Sequence, residues 1–431
     1  MKRFLLAAAA IAAAALAEGP GLGSVPLDEN PRPAGDTWPG EVIVEFTRDL
    51  RAEEATGMIR EAGGERARRS ARGGRWLVEL EAGRSVETAL ARFRAMPEVD
   101  YAEPNGVLRS HLVPNDPLYS LQWHLRALNA ERAWDIQRGD ASVAVAVLDS
   151  GIAFEDFGAF RRAPDFAGTA FLPGLNVFDR SPHANDDNFH GTHVAGVVAQ
   201  ATNNGAGVAG LAHGCALVPV KVLDTAGLGS FFGVAEGIDY AAGLSAVKVI
   251  NLSLGGEAVS ETVRRAIDRA RSAGITLVAS SGNDNAGTVS FPASADGVIA
   301  VGAVDARRTR ARYSNYGTAL DVVAYGGDLR RDDDDNGQPD GILQQTFDPA
   351  VARGGRYDAF GYYYVTGTSQ AAPQVAALAA LLYRQGITDP AAIQKAIEST
   401  AEDVGPAGRD DEHGHGLIRP VAALSGLGLG R

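Results

Sequence analysis

The chain has 431 residues, 45% of them apolar, enough to bury a sizeable core and to allow two or three domains at about 150 residues each. Its net charge of −13 and isoelectric point near 5.1 remove support for a nucleic-acid partner and leave the acidity as a solubility device or a reservoir of calcium ligands. One cysteine, Cys215, excludes an internal disulfide framework and reads as inert core.

Met1-Lys2-Arg3 is a basic start, Phe4 to Leu16 is an unbroken apolar run, and Ala15-Leu16-Ala17 fits a small-residue cleavage site. Residues 1–17 therefore read as a signal peptide, which predicts export to the periplasm or the medium. The run is too short to span a bilayer comfortably, and no later run reaches membrane length, so no membrane partner is expected. Residues 18–39 are rich in Pro and Gly without periodicity and read as a linker.

Residues 40–109 carry the pattern of a small α+β domain. The alternation of Glu41-Val42-Ile43-Val44-Glu45-Phe46 predicts a strand. A helix over 52–62, a strand over 76–80, a helix over 85–96 stopped by Pro97 and a short strand over 99–103 follow. This order is that of a ferredoxin-like unit. Residues 110–138 read as a loop-rich lead into the main domain, which is expected to fill 110–431. There, apolar strands at 143–148, 217–223, 247–252, 276–279 and 298–301 alternate with helical stretches at 192–201, 231–243, 260–273, 368–385 and 390–400. That alternation predicts an α/β fold, a parallel central sheet covered by helices on both faces.

Three short motifs sit at the edges of these elements. Asp149 ends the run Val143-Ala144-Val145-Ala146-Val147-Leu148, at the carboxyl end of a strand where sites form in open α/β sheets. His190 opens His190-Gly191-Thr192-His193-Val194-Ala195-Gly196, ahead of a helix. Ser369 lies in Gly367-Thr368-Ser369-Gln370-Ala371-Ala372-Pro373, at the start of a long helix whose unpaired N–H groups can bind an oxyanion. The chain order Asp, His, Ser is one known for hydrolytic triads, the one given by subtilisin. A carboxylate orients the imidazole, the imidazole takes the serine proton, and the serine attacks an acyl carbon. Asn283, in Ala279-Ser280-Ser281-Gly282-Asn283, follows a separate strand and offers a side-chain amide to the oxyanion. His193 stands three residues from His190, without the glutamate and the i, i+4 spacing of zinc-protease helices, so it reads as a hydrogen-bonded structural histidine. His413 and His415 fall in a Gly-rich turn.

At these residues the sequence resembles the subtilisin-like serine peptidases, and among them the thermitase-like branch. The resemblance covers the chain from about Val42. It implies Asp149, His190 and Ser369 as triad and Asn283 in the oxyanion hole. It implies that Ser253, Leu254 and Gly255, and Ser280, Ser281 and Gly282, form the two backbone segments flanking the substrate. It also implies that the small domain is an inhibitory propeptide that assists folding and is cut off by the enzyme itself, between about 104 and 116. Gln370 departs from the methionine usual after the serine, and Ser280-Ser281 replaces the commoner alanines.

Two calcium sites are expected. Asp332, Asp334, Asn336, the carbonyl of Gln338 and Asp340 repeat the front half of a calcium loop, with Gly337 at the turn, while Leu343 replaces the closing glutamate. The resemblance implies a second site from Asp116, Asp165 and Asn204 with the carbonyls of Ala201, Ala206 and Val208. The expected protein is a secreted, monomeric serine endopeptidase acting on protein and peptide substrates. Two alternatives stand beside it: an inactive binding protein on the same fold, and a metallohydrolase using His190 and His193.

Overall fold

The computed structural model describes residues 37–71, 74–107 and 113–426. The signal-peptide reading at 1–17, most of the linker and part of the expected cleavage region lie outside the described residues. The chain divides into two compact units, Ala13–Ser110 and the part from His111 onward.

In the first unit, β1 (Thr37–Phe46) buries Val42, Val44 and Phe46 from alternate positions. α1 (Ala52–Ala62) lays Ala55, Ile59 and Ala62 on the same core and ends at Gly63 with φ 99°, in the left-handed region that glycine adopts freely. β2 (Gly64–Arg69) and β3 (Arg75–Leu80) form an antiparallel pair, and α2 (Val86–Arg94) starts on Ser85, whose hydroxyl accepts from Thr88 N–H. β4 (Val99–Gly106) closes a four-stranded sheet in the order β2-β3-β1-β4. This is the ferredoxin-like arrangement, with one strand more than the sequence pattern predicts. β2 reads Gly-Glu-Arg-Ala-Arg-Arg and is exposed beyond its first residue, so it carries no apolar period.

The second unit opens on helices, which corrects the loop-rich reading of 110–138. A 3₁₀ turn at Tyr119–Leu121 leads into α3 (Trp123–Ala127) and α4 (Ala130–Ile136), and Asn129 at φ 54° breaks them apart. Each helix is too short to show a helical period. Trp123 Nε1 donates to Gly341 O and Trp134 Nε1 to Leu211 O, which docks both helices on the main body.

The central sheet has β5 (Ala144–Asp149), β6 (Leu175–Asn176), β7 (Ala216–Lys221), β8 (Val247–Leu252), β9 (Thr276–Ser280), β10 (Val298–Val304) and β11 (Val322–Tyr325). The order is β11-β10-β9-β8-β5-β7-β6 and every pairing is parallel. Strands β5, β7, β9, β10 and β11 are buried at every residue, as a sheet covered on both faces requires. One face packs under α5 (His190–Ala199), α9 (Thr368–Arg384) and α10 (Pro390–Thr400); the other packs under α6 (Phe231–Ala242) and α7 (Glu261–Ser272). The chain moves to one side of β5 for β6 and β7, then to the other side for β8 onward. The crevice at that reversal, beyond the carboxyl end of β5, is where such sheets bind ligands.

A two-stranded hairpin stands apart from the main sheet. β12 (Ile342–Phe347) and β13 (Phe360–Val365) pair antiparallel around the short α8 (Pro349–Ala352) and lie against α5. The last helix is α11 (Pro420–Leu424). Among the described residues no helix is long and apolar enough to cross a membrane.

Candidate active site

Asp149 is the last residue of β5 and is wholly buried. Its Oδ1 accepts from His190 Nδ1 at 2.8 Å and from Ser150 N–H at 2.7 Å. His190 is the first residue of α5. The close approach depends on glycine: a Cβ on Gly191 would stand 2.1 Å from Gly151 O and 3.2 Å from Asp149 Oδ1. Burial pulls the His190 pKa down, but the charge and hydrogen bond of Asp149, with Asp186 behind it, outweigh this and hold it above the ordinary histidine value.

Asp186, absent from the residues predicted by motif, organises the turn before His190. Its Oδ1 accepts from Ser150 Oγ at 2.8 Å, Asn188 N–H at 2.9 Å and Phe189 N–H at 3.1 Å. Its Oδ2 accepts from Thr192 N–H at 2.9 Å and Thr192 Oγ1 at 2.6 Å. A carboxylate thus satisfies an otherwise unpaired donor in the first turn of α5. Phe189 adopts φ 101°, which that net of bonds sustains.

Ser369 is the second residue of α9, and its Oγ donates to Ser253 O at 3.4 Å. Pro373, four residues on, has no N–H for the Ser369 carbonyl. Ser253 Oγ donates to that carbonyl at 2.9 Å, and Asn251 Nδ2 donates to Ser253 Oγ at 3.0 Å. Ser253 therefore holds the backbone and receives the hydroxyl of the same serine. Asn283 Oδ1 accepts from Thr368 N–H and Thr368 Oγ1, each at 2.9 Å. The oxygen is thus occupied at the helix start, and the Nδ2 side of the amide has no hydrogen-bond partner among the described residues. Gly282 sits at φ 107°, where a Cβ would meet Asn315 Nδ2 at 2.3 Å.

His190, Ser253, Leu254 and Gly255 line one cleft of about 770 Å³, with Leu223, Phe231 and Val234 on its apolar wall. Ser280 and Ser281 are buried, and Ser281 Oγ donates to Asn315 O at 3.1 Å, so this pair faces the fold more than the cleft. Gln370 is buried with Nε2 unpartnered. His193 Nε2 donates to Ile342 O at 3.0 Å and Tyr363 O at 3.2 Å, and burial, then the charge of His190, pushes its pKa down to about 4. Among the described residues the one group of three or more His, Cys, Asp or Glu side chains placed to hold a metal ion is Asp332, Asp334 and Asp340, and neither His190 nor His193 belongs to such a group. Cys215 is buried and burial pushes its thiol up to about 11, as inert core requires.

Of the predicted calcium ligands, the carboxylates of Asp332, Asp334 and Asp340 converge, each offering an oxygen within 4.8 Å of the others. Asp333 points away to Arg331 and Arg307. Asn336 Nδ2 donates to Asp334 Oδ2 at 3.0 Å, and Gln338 N–H donates to Asn336 Oδ1 at 2.8 Å. At the second cluster Asp116 and Asp165 are both buried. Asn204 Nδ2 donates to Asp165 Oδ1 at 3.0 Å, so the amide nitrogen, not the oxygen, faces the carboxylate. Val208 N–H donates to Asp165 Oδ2 and Asn203 N–H to Asp116 Oδ2. Burial pushes Asp165 up to about 6 and raises Asp116 as well, and Asp116 Oδ1 is left without a partner. Two buried carboxylates with an orphaned oxygen fit a hard divalent cation.

Residues 140–416 match the family model described as the subtilase family, and residues 26–105 match the one described as the fervidolysin N-terminal prodomain. A thermophilic serine proteinase of Bacillus sp. (strain AK1) is 36% identical over 376 residues, covering 87% of this chain and 85% of its own. Thermitase of Thermoactinomyces vulgaris is 33% identical, covering 68% of this chain and 94% of its own. A solved protease structure from Pseudoalteromonas arctica PAMC 21717 aligns with a TM-score of 0.62 at 33% identity, over 73% of this chain and 99% of that one. A matched domain spanning most of the second unit, on a parallel sheet with Asp149 and His190 joined at its carboxyl end, settles the identity: the chain belongs to the subtilase family and is a serine endopeptidase.

Proposed function

We propose that Asp149, His190 and Ser369 are the catalytic triad of an exported endopeptidase made as a self-processing zymogen. The 2.8 Å bond between buried Asp149 and His190 Nδ1 carries this reading. That bond leaves Nε2 as the base. His190 Nε2 takes the proton as Ser369 Oγ attacks the scissile carbonyl, then returns it to the leaving amine. Water releases the acyl-enzyme by the same route. Asn283 Nδ2 and the Ser369 N–H hold the oxyanion; Ser253, Leu254 and Gly255 line the cleft on one side, and the backbone of Ser280, Ser281 and Gly282, with the Ser281 side chain turned into the fold, flanks the substrate chain on the other.

The first unit is the propeptide, serving as intramolecular inhibitor, and residues 1–17 direct export. Calcium is structural. Asp116 and Asp165 with the carbonyls of Ala201, Ala206 and Val208 would hold one ion, with Asn204 turning its amide oxygen inward. Asp332, Asp334, Asn336, Asp340 and the Gln338 carbonyl would hold another. The ion supplies counter-charge to crowded carboxylates and no catalytic step. N-terminal sequencing of the secreted product tests export, processing and catalysis together. Wild type is expected to begin between about 104 and 116, and Ser369→Ala to retain the segment 40–109. A Ser369→Ala product processed like wild type would sink the self-cleavage reading.

A further inference from the structure

Behind the Asp149–His190 pair lies a lysine for which the hydrolytic steps have no use. Lys221 ends β7, in register with Asp149 at the end of β5. It is 5% exposed, and lysine is almost never so buried unless paired. Its ammonium group has three hydrogens and meets three acceptors: Ser150 O at 2.7 Å, Asp187 Oδ1 at 2.7 Å and Leu223 O at 2.8 Å. The ring of Phe178 covers it at 5.8 Å.

The three acceptors belong to three different parts of the site. Ser150 follows Asp149, and its hydroxyl accepts from Gly191 N–H at 2.9 Å. Asp187 lies in the turn that delivers His190. Leu223 lines the substrate cleft. A second joint runs beside the first: Asn188 Nδ2 donates to Thr225 O at 3.0 Å and Thr225 Oγ1 to Asp187 O at 3.1 Å. Burying an ammonium and a carboxylate costs desolvation that well-packed apolar side chains would avoid, so the pair contributes little net stability. Backbone bonds already tie Val222 N–H and Leu223 N–H to Asp149 O at 2.9 and 3.0 Å; what the ammonium adds is a tie from that wall to Ser150 and to the turn that carries Asp187 and His190.

We propose that Lys221, with Asp187 as counter-ion, is a positioning residue that locks the cleft wall at Leu223 to the Asp149–His190 pair, so that bound peptide and general base keep one registry. The proposal rests on the triad reading above. In this account Lys221 touches neither substrate nor the reacting atoms; it acts through Ser150 and the 186–189 turn. A displacement of about 1 Å at a base costs up to about a hundredfold in rate.

The test measures kcat, KM and Tm for hydrolysis of a peptide long enough to fill the cleft, on protein expressed as the full chain and left to process itself. Lys221→Met is expected to lose both Tm and kcat, because Asp187, its side chain only 22% exposed, is left without its partner. The informative variant is Lys221→Met/Asp187→Leu, which removes both charges. It is expected to regain the wild-type Tm while kcat stays about 10–100-fold down and KM moves less than about threefold. A double variant with wild-type Tm and wild-type kcat would reduce the pair to a structural device and overturn the proposal. Thr225→Val, at an exposed position, tests the second joint without burying a charge. A several-fold drop in kcat at unchanged Tm is expected, and unchanged kcat counts against the proposal even where the double variant does not fold. Ser369→Ala, expressed in the same way, runs alongside: a chain that still sheds the segment 40–109 and hydrolyses the peptide defeats the triad reading, an outcome separate from any result at Lys221.

Discussion

The acid–base half and the nucleophile half of the proposed triad are held with different strictness. Asp149 and His190 are joined at 2.8 Å, and Ser150, Asp186 and Thr192 frame them through buried bonds of 2.6–2.9 Å. Ser369 Oγ rests on a carbonyl at 3.4 Å, and the nearby Asn283 amide nitrogen is unengaged. The half that carries charge through the reaction is fixed beforehand, where reorganisation would be costly. The half that must change partner, from a resting carbonyl to the base and then to carbon, is held by one long bond that is easily exchanged. Hydrogen bonds of this kind often tighten only when substrate binds.

Each half can be broken separately. Asp149→Asn leaves the shape of the site intact but presents the wrong tautomer to His190, and kcat is expected to fall by about 10⁴. Asn283→Leu removes one oxyanion donor and is expected to cost about 10²–10³ in kcat. Stopped assays on both variants with one peptide give the ratio directly. An Asn283→Leu loss exceeding that of Asp149→Asn would mean that oxyanion stabilisation, rather than the fixed acid–base pair, dominates.

A smaller effect separates the two acidic clusters. Asp165 titrates near 6 when folded against 3.8 as its reference, so the protonated form is the one the ion-free fold favours. The support it gives is full below about pH 3.8 and is lost as pH rises through about 6. A cation bound to the ionised pair reverses that loss. Chelation is therefore expected to lower Tm by roughly 5–10 °C at neutral pH and by almost nothing near pH 4. A Tm at neutral pH indifferent to chelator would remove both calcium sites from the account. The loop of Asp332, Asp334 and Asp340 is the weaker partner in this comparison, since Asp332 and Asp334 are exposed.

The parts legible in the sequence were those with a local signature. Asp149 closes an all-apolar strand, Ser369 stands at a helix start, and Pro373 foretells the freed carbonyl that Ser253 takes up. The parts that were not legible depend on partners distant in the chain. Asp186 reads as one more polar residue before a helix, yet its partner Ser150 lies 36 positions away. Lys221 ends an apolar strand and gives no sign that three carbonyl or carboxylate oxygens await it. β12, absent from the predicted strands, buries the polar pair Gln344 and Gln345; Gln344 Nε2 donates to Ala209 O and Gln345 Oε1 accepts from Asp165 N–H. α3 and α4 are too short for a period to appear.

The proposed mechanism turns on Ser369 as the nucleophile, activated by His190. Mass mapping of the enzyme after treatment with phenylmethylsulfonyl fluoride tests it most directly. A single sulfonyl adduct is expected on Ser369, formed in step with loss of activity and no longer formed at that rate in His190→Ala. Full inactivation with the adduct on another residue, or unimpaired activity with Ser369 modified, would contradict it.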